Sequence, residues 1–251
     1  MPIKQLLRAF RSAPAPRVPA GQRVYAIGDI HGCLDLLDRL LDAIAEDEAG
    51  RLPADTTLVF LGDLVDRGPD SAGVVERLLQ LSKGPARARF LRGNHDDVFL
   101  RAARGDRRAL RFLIRIGGRT TILSYGISDE EYRALDYDEL LKTFGRNVPP
   151  EHLAFVEGFE DSLEIGDYLF VHAGVKPGVP LDQQAPEDLY WIREDFLLHR
   201  EDFGKMVVHG HSISEGVEIR SNRIGIDTGA FASGQLTAVA LEDDRRWFLS
   251  T

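Results

Sequence analysis

At 251 residues, with 43% apolar and 28% charged side chains, the chain has the length of one large domain or two small ones and the composition of a globular protein. Lys and Arg number 31 against 40 Asp and Glu, a net charge of −9, which excludes a general binder of nucleic acid because phosphate neutralisation needs clustered cations. A single cysteine, Cys33, excludes an internal disulfide, and no apolar run reaches the ~18 residues of a membrane span.

The first twenty residues carry Lys4, Arg8, Arg11 and Arg17 and no acid, and Arg8 and Arg11 interrupt the apolar stretch that a signal peptide would need. Residues 1–20 are therefore expected to form a basic tail with a stiff Pro-rich tether at 13–19, outside a single cytoplasmic domain at 21–251. From Arg23 onward, short β-branched runs alternate with helical patterns, which predicts an α/β fold. Strands are expected at 23–27, 57–61 and 88–91, each followed at once by glycine and a polar residue: Gly28-Asp29, Gly62-Asp63 and Gly93-Asn94. A helix is expected from Leu34 to about Glu48, where Leu37, Leu40, Leu41 and Ile44 form one stripe, and another over 71–81 behind Asp70 as its cap. Residues of about 97–160 have a helical pattern, clearest at 107–116, 138–144 and 150–156, and read as an insertion over one edge of the sheet. Strands return at 162–165, 168–172, 206–208, 217–220, 223–226 and 236–241.

Three strand ends deliver one kind of chemistry. GDIHG holds Asp29 and His31, GDLVDRG holds Asp63, Asp66 and Arg67, and GNHD holds Asn94, His95 and Asp96. VHAG then supplies His172 and HGHS supplies His211, again directly after apolar runs. Ligands in open α/β sheets gather beyond the carboxyl ends of the strands, where such loops converge. Taken singly, an Asp after Gly is a helix cap or an Asx-turn, and a His after a strand is a satisfied core residue. Five strand ends with the same pattern point instead to one site. Carboxylates, imidazoles and a carboxamide without thiolate suit Mn, Fe or Zn better than Ca or Mg, and Mn is the expected ion. One carboxylate can bridge two such ions ~3.5–4 Å apart, clamping a phosphoryl group and acidifying a shared water.

GDIHG, GDLVDRG and GNHD, in that order, resemble the phosphoprotein phosphatases of the PPP family, metal-dependent serine/threonine phosphatases within the calcineurin-like metallophosphoesterases. VHAG and HGHS fall where that family has its last two metal histidines, so the resemblance covers about 23–241. It implies a β-sandwich flanked by helices with two divalent ions at its mouth. It also implies that Asp29 and His31 hold the first ion, that Asp63 bridges, and that Asn94, His172 and His211 complete the second. A hydroxide between the ions would attack phosphorus in line. By the same resemblance His95 protonates the leaving alkoxide, held and kept cationic by Asp66. Arg67 grips the phosphate with its guanidinium fork, and Arg193 in Trp191-Ile192-Arg193 is a second phosphate-binding arginine. Arg92, just before GNHD, is a third candidate.

Some positions depart from the family. Asp96 stands where the eukaryotic protein phosphatases have Glu, which leaves the metal set untouched. Many other metallophosphoesterases have a second histidine two residues after the one in HGHS; here Ile213 stands there, which favours the PPP branch over nucleases and general phosphodiesterases. His209 is assigned no role, and Cys33 reads as a small residue packed at a helix start.

The resemblance thus implies hydrolysis of phosphomonoesters, foremost phosphoserine or phosphothreonine in proteins, with a phosphorylated protein or a small phosphoester as partner. The alternative is a symmetrical bis(5'-nucleosyl)-tetraphosphatase, which shares the metal ligands. Enzymes of that type tend to lose the Asp of DRG, so the retained Asp66 favours the protein phosphatase, while Asp96 in GNHD points the other way. A non-catalytic metal-binding regulatory module would lack a ligand or the acid, and neither is missing. Without the four cations of the first twenty residues the body carries 27 basic and 40 acidic side chains, or −13. Phosphate attraction must therefore be local to the ions, Arg67 and Arg193.

Overall fold

In the computed structural model, which describes residues 15–251, ten strands form two five-stranded sheets. The strands are β1 (Gln22–Ile27), β2 (Asp55–Phe60), β3 (Arg87–Phe90), β4 (Ser162–Ile165), β5 (Tyr168–Val171), β6 (Met206–His209), β7 (Glu218–Ile219), β8 (Arg223–Gly225), β9 (Thr237–Glu242) and β10 (Arg245–Ser250). The first sheet runs β10-β9-β1-β2-β3, with β1, β2 and β3 parallel, and the second runs β4-β5-β6-β8-β7, with β5, β6 and β8 parallel. The remaining strands pair antiparallel.

Side chains alternate between the two faces of each strand, so each sheet contributes to two cores. Val24, Ala26, Val59 and Leu61 of the first sheet meet Tyr168, Phe170, Val208 and Ile224 of the second in the layer between them. The opposite face of the first sheet, with Tyr25, Ile27, Leu58 and Phe60, packs under α1 (Leu34–Ala49) and α2 (Ser71–Lys83). The Asp70 side chain caps α2 by accepting from the Gly73 N–H.

Six helices fill the segment between β3 and β4: α3 (Asn94–Ala103), α4 (Arg107–Arg115), α5 (Arg119–Ser124), α6 (Asp129–Ala134), α7 (Tyr137–Asn147) and α8 (Pro150–Glu157). The outer face of the second sheet is covered by α9 (Pro186–Trp191) and α10 (Glu194–Leu197), whose Leu189, Tyr190 and Phe196 pack on Leu169, Val171 and Val207. A short α11 (Ala230–Ser233) precedes β9. Among the described residues no helix is long and apolar enough to cross a membrane.

Three differences from the sequence expectations have physical causes. Helix α3 begins at Asn94, so the GNHD residues form its first turn, because the Asp96 side chain accepts from the Gly93 N–H and starts the helix there. Strand β10 went unread because its charged residues are those of an exposed edge, while Trp247 and Leu249 pack against the helix layer. The tether reading of 13–19 is corrected over its described part. Val18 is 2% exposed and joins the core between the sheets, the Arg17 carbonyl accepts from the Asp167 N–H, and the Arg17 guanidinium pairs with Asp243. The rest of the expected tail, residues 1–14, lies outside the described residues.

Helix α3 carries site residues at one end and anchors the helical segment with its body. Phe99 is fully buried, with ring centroids 5.6 Å from Tyr125 and 6.0 Å from Phe144. Phe99→Ala is expected to cost ~3–5 kcal/mol of unfolding free energy in urea titrations, and a loss below ~1 kcal/mol would show that this contact does not hold α3 in place.

Candidate metal centre and acid pair

The site is built on strained backbone. Six non-glycine residues among those described have left-handed φ angles, and five of them are His31 (47°), Asp63 (53°), Asp66 (73°), Arg67 (68°) and His211 (61°); the sixth, Asp243, turns the β9–β10 hairpin. Each costs ~1–2 kcal/mol and persists only where its surroundings over-determine it. The constraint is visible in the loops after β1, β2 and β3. The Asp63 carbonyl accepts from the N–H groups of Ile30 (3.2 Å) and His31 (2.9 Å). The Asp96 carboxylate accepts from Gly93 (3.0 Å), Asp63 (2.8 Å) and Leu64 (2.9 Å), tying two loops together. Glycine is required where backbone lies on a site carboxylate: a Cβ at Gly93 would overlap Asp63, and one at Gly210 would overlap Asp29.

Asp63 belongs to two groups of candidate ligands, His31–Asp63–His95 and Asp63–His172–His211, each with ligand atoms within 4.8 Å of one another. Its Oδ2 lies 3.6 Å from His31 Nε2 and 3.9 Å from His95 Nε2, and its Oδ1 lies 3.5 Å from His172 Nε2. The Nδ1–H of His31 donates to the Val65 carbonyl and that of His172 to the Leu61 carbonyl, both at 2.8 Å, leaving the Nε2 lone pairs turned inward. His172 Nε2 then faces Asn94 Oδ1 at 3.0 Å and His211 Nδ1 at 3.2 Å. Two acceptors at 3.0 Å repel unless something positive lies between them.

The electrostatics agree. Burial pulls His31 down to about 3 and His211 to about 2, and lowers His172, so these imidazoles are neutral ligands at pH 7. Burial and the neighbouring Asp227 and Asp63 hold Asp29 well above the usual carboxylate range, and burial raises Asp227 to about 6. Asp63 is pushed up by burial but held well below its ordinary value by the imidazoles around it. His211 Nε2 and Asp227 Oδ2 are buried without a hydrogen-bond partner. Inward lone pairs, crowded carboxylates and orphaned acceptors all fit divalent cations, and the mixed nitrogen and oxygen donors suit Mn, Fe or Zn.

The candidate acid pair stands beside this cluster. His95 Nδ1–H donates to Asp66 Oδ2 at 2.7 Å, with both side chains buried. Burial lowers the His95 pKa, but the Asp63 and Asp66 carboxylates outweigh it, so the net shift is upward. Arg67 reaches over both groups, its Nη1 2.9 Å from His31 Nε2 and its Nη2 3.1 Å from His95 Nε2. Arg193, the N-cap residue of α10, is close enough for its charge to act on His172, His211 and Asp227.

Arg92, the third candidate, turns its Nη2 to the carbonyls of Glu157 (2.6 Å) and Val156 (3.5 Å) at the C-terminal end of α8. His209 packs edge-on against Phe196, and burial lowers it to about 4. Burial raises the Cys33 thiol to about 11, as befits a packed helix cap.

Three residues escaped the sequence reading. Asp227 follows Gly225-Ile226 just past β8, an acid near a strand end but without glycine directly before it, so the pattern read elsewhere does not mark it. Phe231, 38% exposed, places its ring edge-on to His31 at 5.5 Å and under the Arg67 guanidinium at 4.8 Å. Thr121, fully buried on α5, bonds to Asp66 from 55 residues away, and no local motif announces it.

The sequence matches the model of the calcineurin-like phosphoesterase family over residues 22–233. It is 39% identical over 153 residues to the symmetrical bis(5'-nucleosyl)-tetraphosphatase of Ralstonia nicotianae, which covers 61% of this chain and 42% of that one. The chain thus spans less than half the length of that relative. It is 27% identical over 232 residues, 85% of this chain and 88% of the other, to the asymmetrical bis(5'-nucleosyl)-tetraphosphatase PrpE of Anoxybacillus flavithermus. Among solved structures, a candidate diadenosine tetraphosphatase superposes with a TM-score of 0.65 at 23% identity, covering 94% of this chain and 98% of that one. A protein serine/threonine phosphatase from Saccharomyces cerevisiae superposes with a TM-score of 0.55 at 17% identity, covering 92% and 79%. Both likenesses are of fold.

Metal binding has a readout independent of turnover. EDTA is expected to lower the Tm, and Mn2+ at ~100 times its Kd to restore ~2.7 kcal/mol of stability. Asp63→Asn, which alters the carboxylate common to both groups, should remove most of that Mn2+-dependent increment. A Tm indifferent to both EDTA and Mn2+ would mean that the cluster holds no ion.

Proposed function

Because the chain belongs to the calcineurin-like phosphoesterase family, we propose that it hydrolyses dinucleoside tetraphosphates symmetrically, with divalent ions held by Asp29, His31, Asp63, Asn94, His172 and His211. The observation that carries the reaction class is Asp63, buried between two groups of inward-facing imidazoles and beside the His95–Asp66 pair. The substrate class is supported by the tetraphosphatase names of the relatives, and it replaces the phosphoprotein expectation as the leading reading. Bound there, divalent ions would supply Lewis-acid polarisation of phosphoryl oxygens and a water nucleophile at neutral pH.

The chain's own side chains do the rest. Arg67 exchanges the two imidazole nitrogens it touches for phosphate oxygens, to which its fork is matched, and Arg193 adds a second positive group near His172 and His211. His95 carries its proton at Nε2 toward the leaving oxygen, while Asp66 holds Nδ1 and favours the cation. Asp96 stays out of the chemistry and fixes the two loops that present Asp63 and Asn94.

A second reading, phosphoserine or phosphothreonine hydrolysis, is favoured by one observation. The 2.7 Å Asp66–His95 bond serves an alkoxide leaving group, which needs a proton more than a nucleoside diphosphate does. The two are separated by measuring kcat/KM for diadenosine tetraphosphate and for a phosphoserine peptide side by side with Mn2+. The proposal expects the dinucleotide to be preferred by about tenfold or more, with ADP as the sole nucleotide product. A preference for the peptide would transfer the assignment to the second reading, and AMP with ATP as products would make the cleavage asymmetrical.

A further inference from the structure

The candidate general acid in this site is oriented from the helical segment that connects β3 to β4. Asp66 can serve His95 only if one carboxylate oxygen faces Nδ1, and nothing within the Asp66 loop fixes that rotation. The Thr121 hydroxyl does. It donates to Asp66 Oδ1 at 2.6 Å, accepts from the Asp66 N–H at 2.9 Å, and lies 2.9 Å from Ser71 Oγ, which also accepts from the Asp66 N–H at 3.0 Å. With Oδ1 held, Oδ2 is the oxygen that takes the His95 Nδ1–H. Asp66, Ser71 and Thr121 are all fully buried, so no bulk water competes for these bonds.

The same segment holds the backbone. Asp66 and Arg67 are consecutive left-handed residues, at 73° and 68°, a conformation that the chain does not keep unaided. The Arg67 N–H donates to the Gly117 carbonyl at 3.0 Å, and Gly117 lies four residues before Thr121, just ahead of α5. The acid pair and the phosphate-gripping arginine are therefore anchored by residues 117–121, which lie outside every motif that carries the chemistry.

We propose that Thr121 is a positioning residue of the acid pair, acting through Asp66 to aim His95 at the leaving group. This rests on the reading of His95 as the general acid, and the test separates the two claims. The Mn2+-loaded full chain is assayed with two aryl phosphates: p-nitrophenyl phosphate, whose leaving group needs little protonation, and phenyl phosphate, whose leaving group needs much more.

Thr121→Val, which keeps the shape and removes the hydroxyl, is expected to lower kcat for phenyl phosphate by about tenfold or more. It should change kcat for p-nitrophenyl phosphate by less than about threefold and leave both KM values within about twofold. Thr121→Ser should recover kcat for phenyl phosphate, because it restores the hydroxyl. His95→Asn serves as the reference for loss of the acid. If His95→Asn itself reduces both substrates equally, the acid assignment fails. If His95→Asn discriminates between the two substrates but Thr121→Val reduces both equally or neither, the Thr121 proposal is overturned. Thr121→Ala is judged by the same criteria should the valine variant not fold by circular dichroism.

Discussion

The rest of this site depends on burying one carboxylate where both of its oxygens are shared. Asp63 Oδ1 accepts the His95 N–H and faces His172, while Oδ2 faces His31 and His95. Its carbonyl receives the N–H groups of the Asp29–His31 loop, and its own N–H is given to Asp96. A displacement of Asp63 would therefore move ligands that arrive from β1, β3 and β5 together. Burying a carboxylate is costly unless it is compensated, and of the four imidazoles around Asp63 the same burial drives His31, His172 and His211 neutral, while His95 is shifted toward its cation. His95 and Arg67 offset part of that cost, and divalent ions between the inward-facing lone pairs would offset the rest.

The two-sheet architecture makes that burial feasible. Parallel strands β1, β2 and β3 deliver the loops that carry Asp29, Asp63 and Asn94, while β5, β6 and β8 deliver His172, His211 and Asp227. Both halves of the site thus come from strand ends, where side chains no longer have to alternate between cores. Strain gathers at the same place: five left-handed side-chain-bearing residues are tolerated because the well-packed layer between the sheets and the loop hydrogen bonds hold them.

The legible parts of the protein were those with a local cause. Strand β1 and the stripe of α1 follow from apolar periodicity, and GDIHG, GDLVDRG and GNHD announce themselves by glycine followed by a polar residue. Asp227 lacks that mark, since Ile226 stands between it and Gly225. Thr121 and Phe231 were not legible either, because their relation to Asp66 and His31 exists only after the chain has folded. Arg92 shows the complementary limit: adjacency to GNHD in sequence says nothing about direction, and its guanidinium bonds to an orphan carbonyl at the end of α8.

Charge accounts for why the site must be so concentrated. Since Arg17 packs on the domain, the described residues carry 28 cationic side chains once Lys4, Arg8 and Arg11 are set aside, against 40 acids, or −12. A tetraphosphate, the proposed substrate, would meet a body of its own sign at long range, and salt screens that repulsion beyond ~8 Å at physiological ionic strength. At closer range the proposed ions would act without much screening, because the carboxylates and imidazoles that would hold them are almost fully buried, and Arg67 and Arg193 would add to them. The acidic surface and the phosphate site are thus compatible: the first acts weakly through solvent, and the second acts strongly at contact. The same contrast would select for ligands that present a phosphoryl group directly to the cluster and against a polyanion lying along the surface.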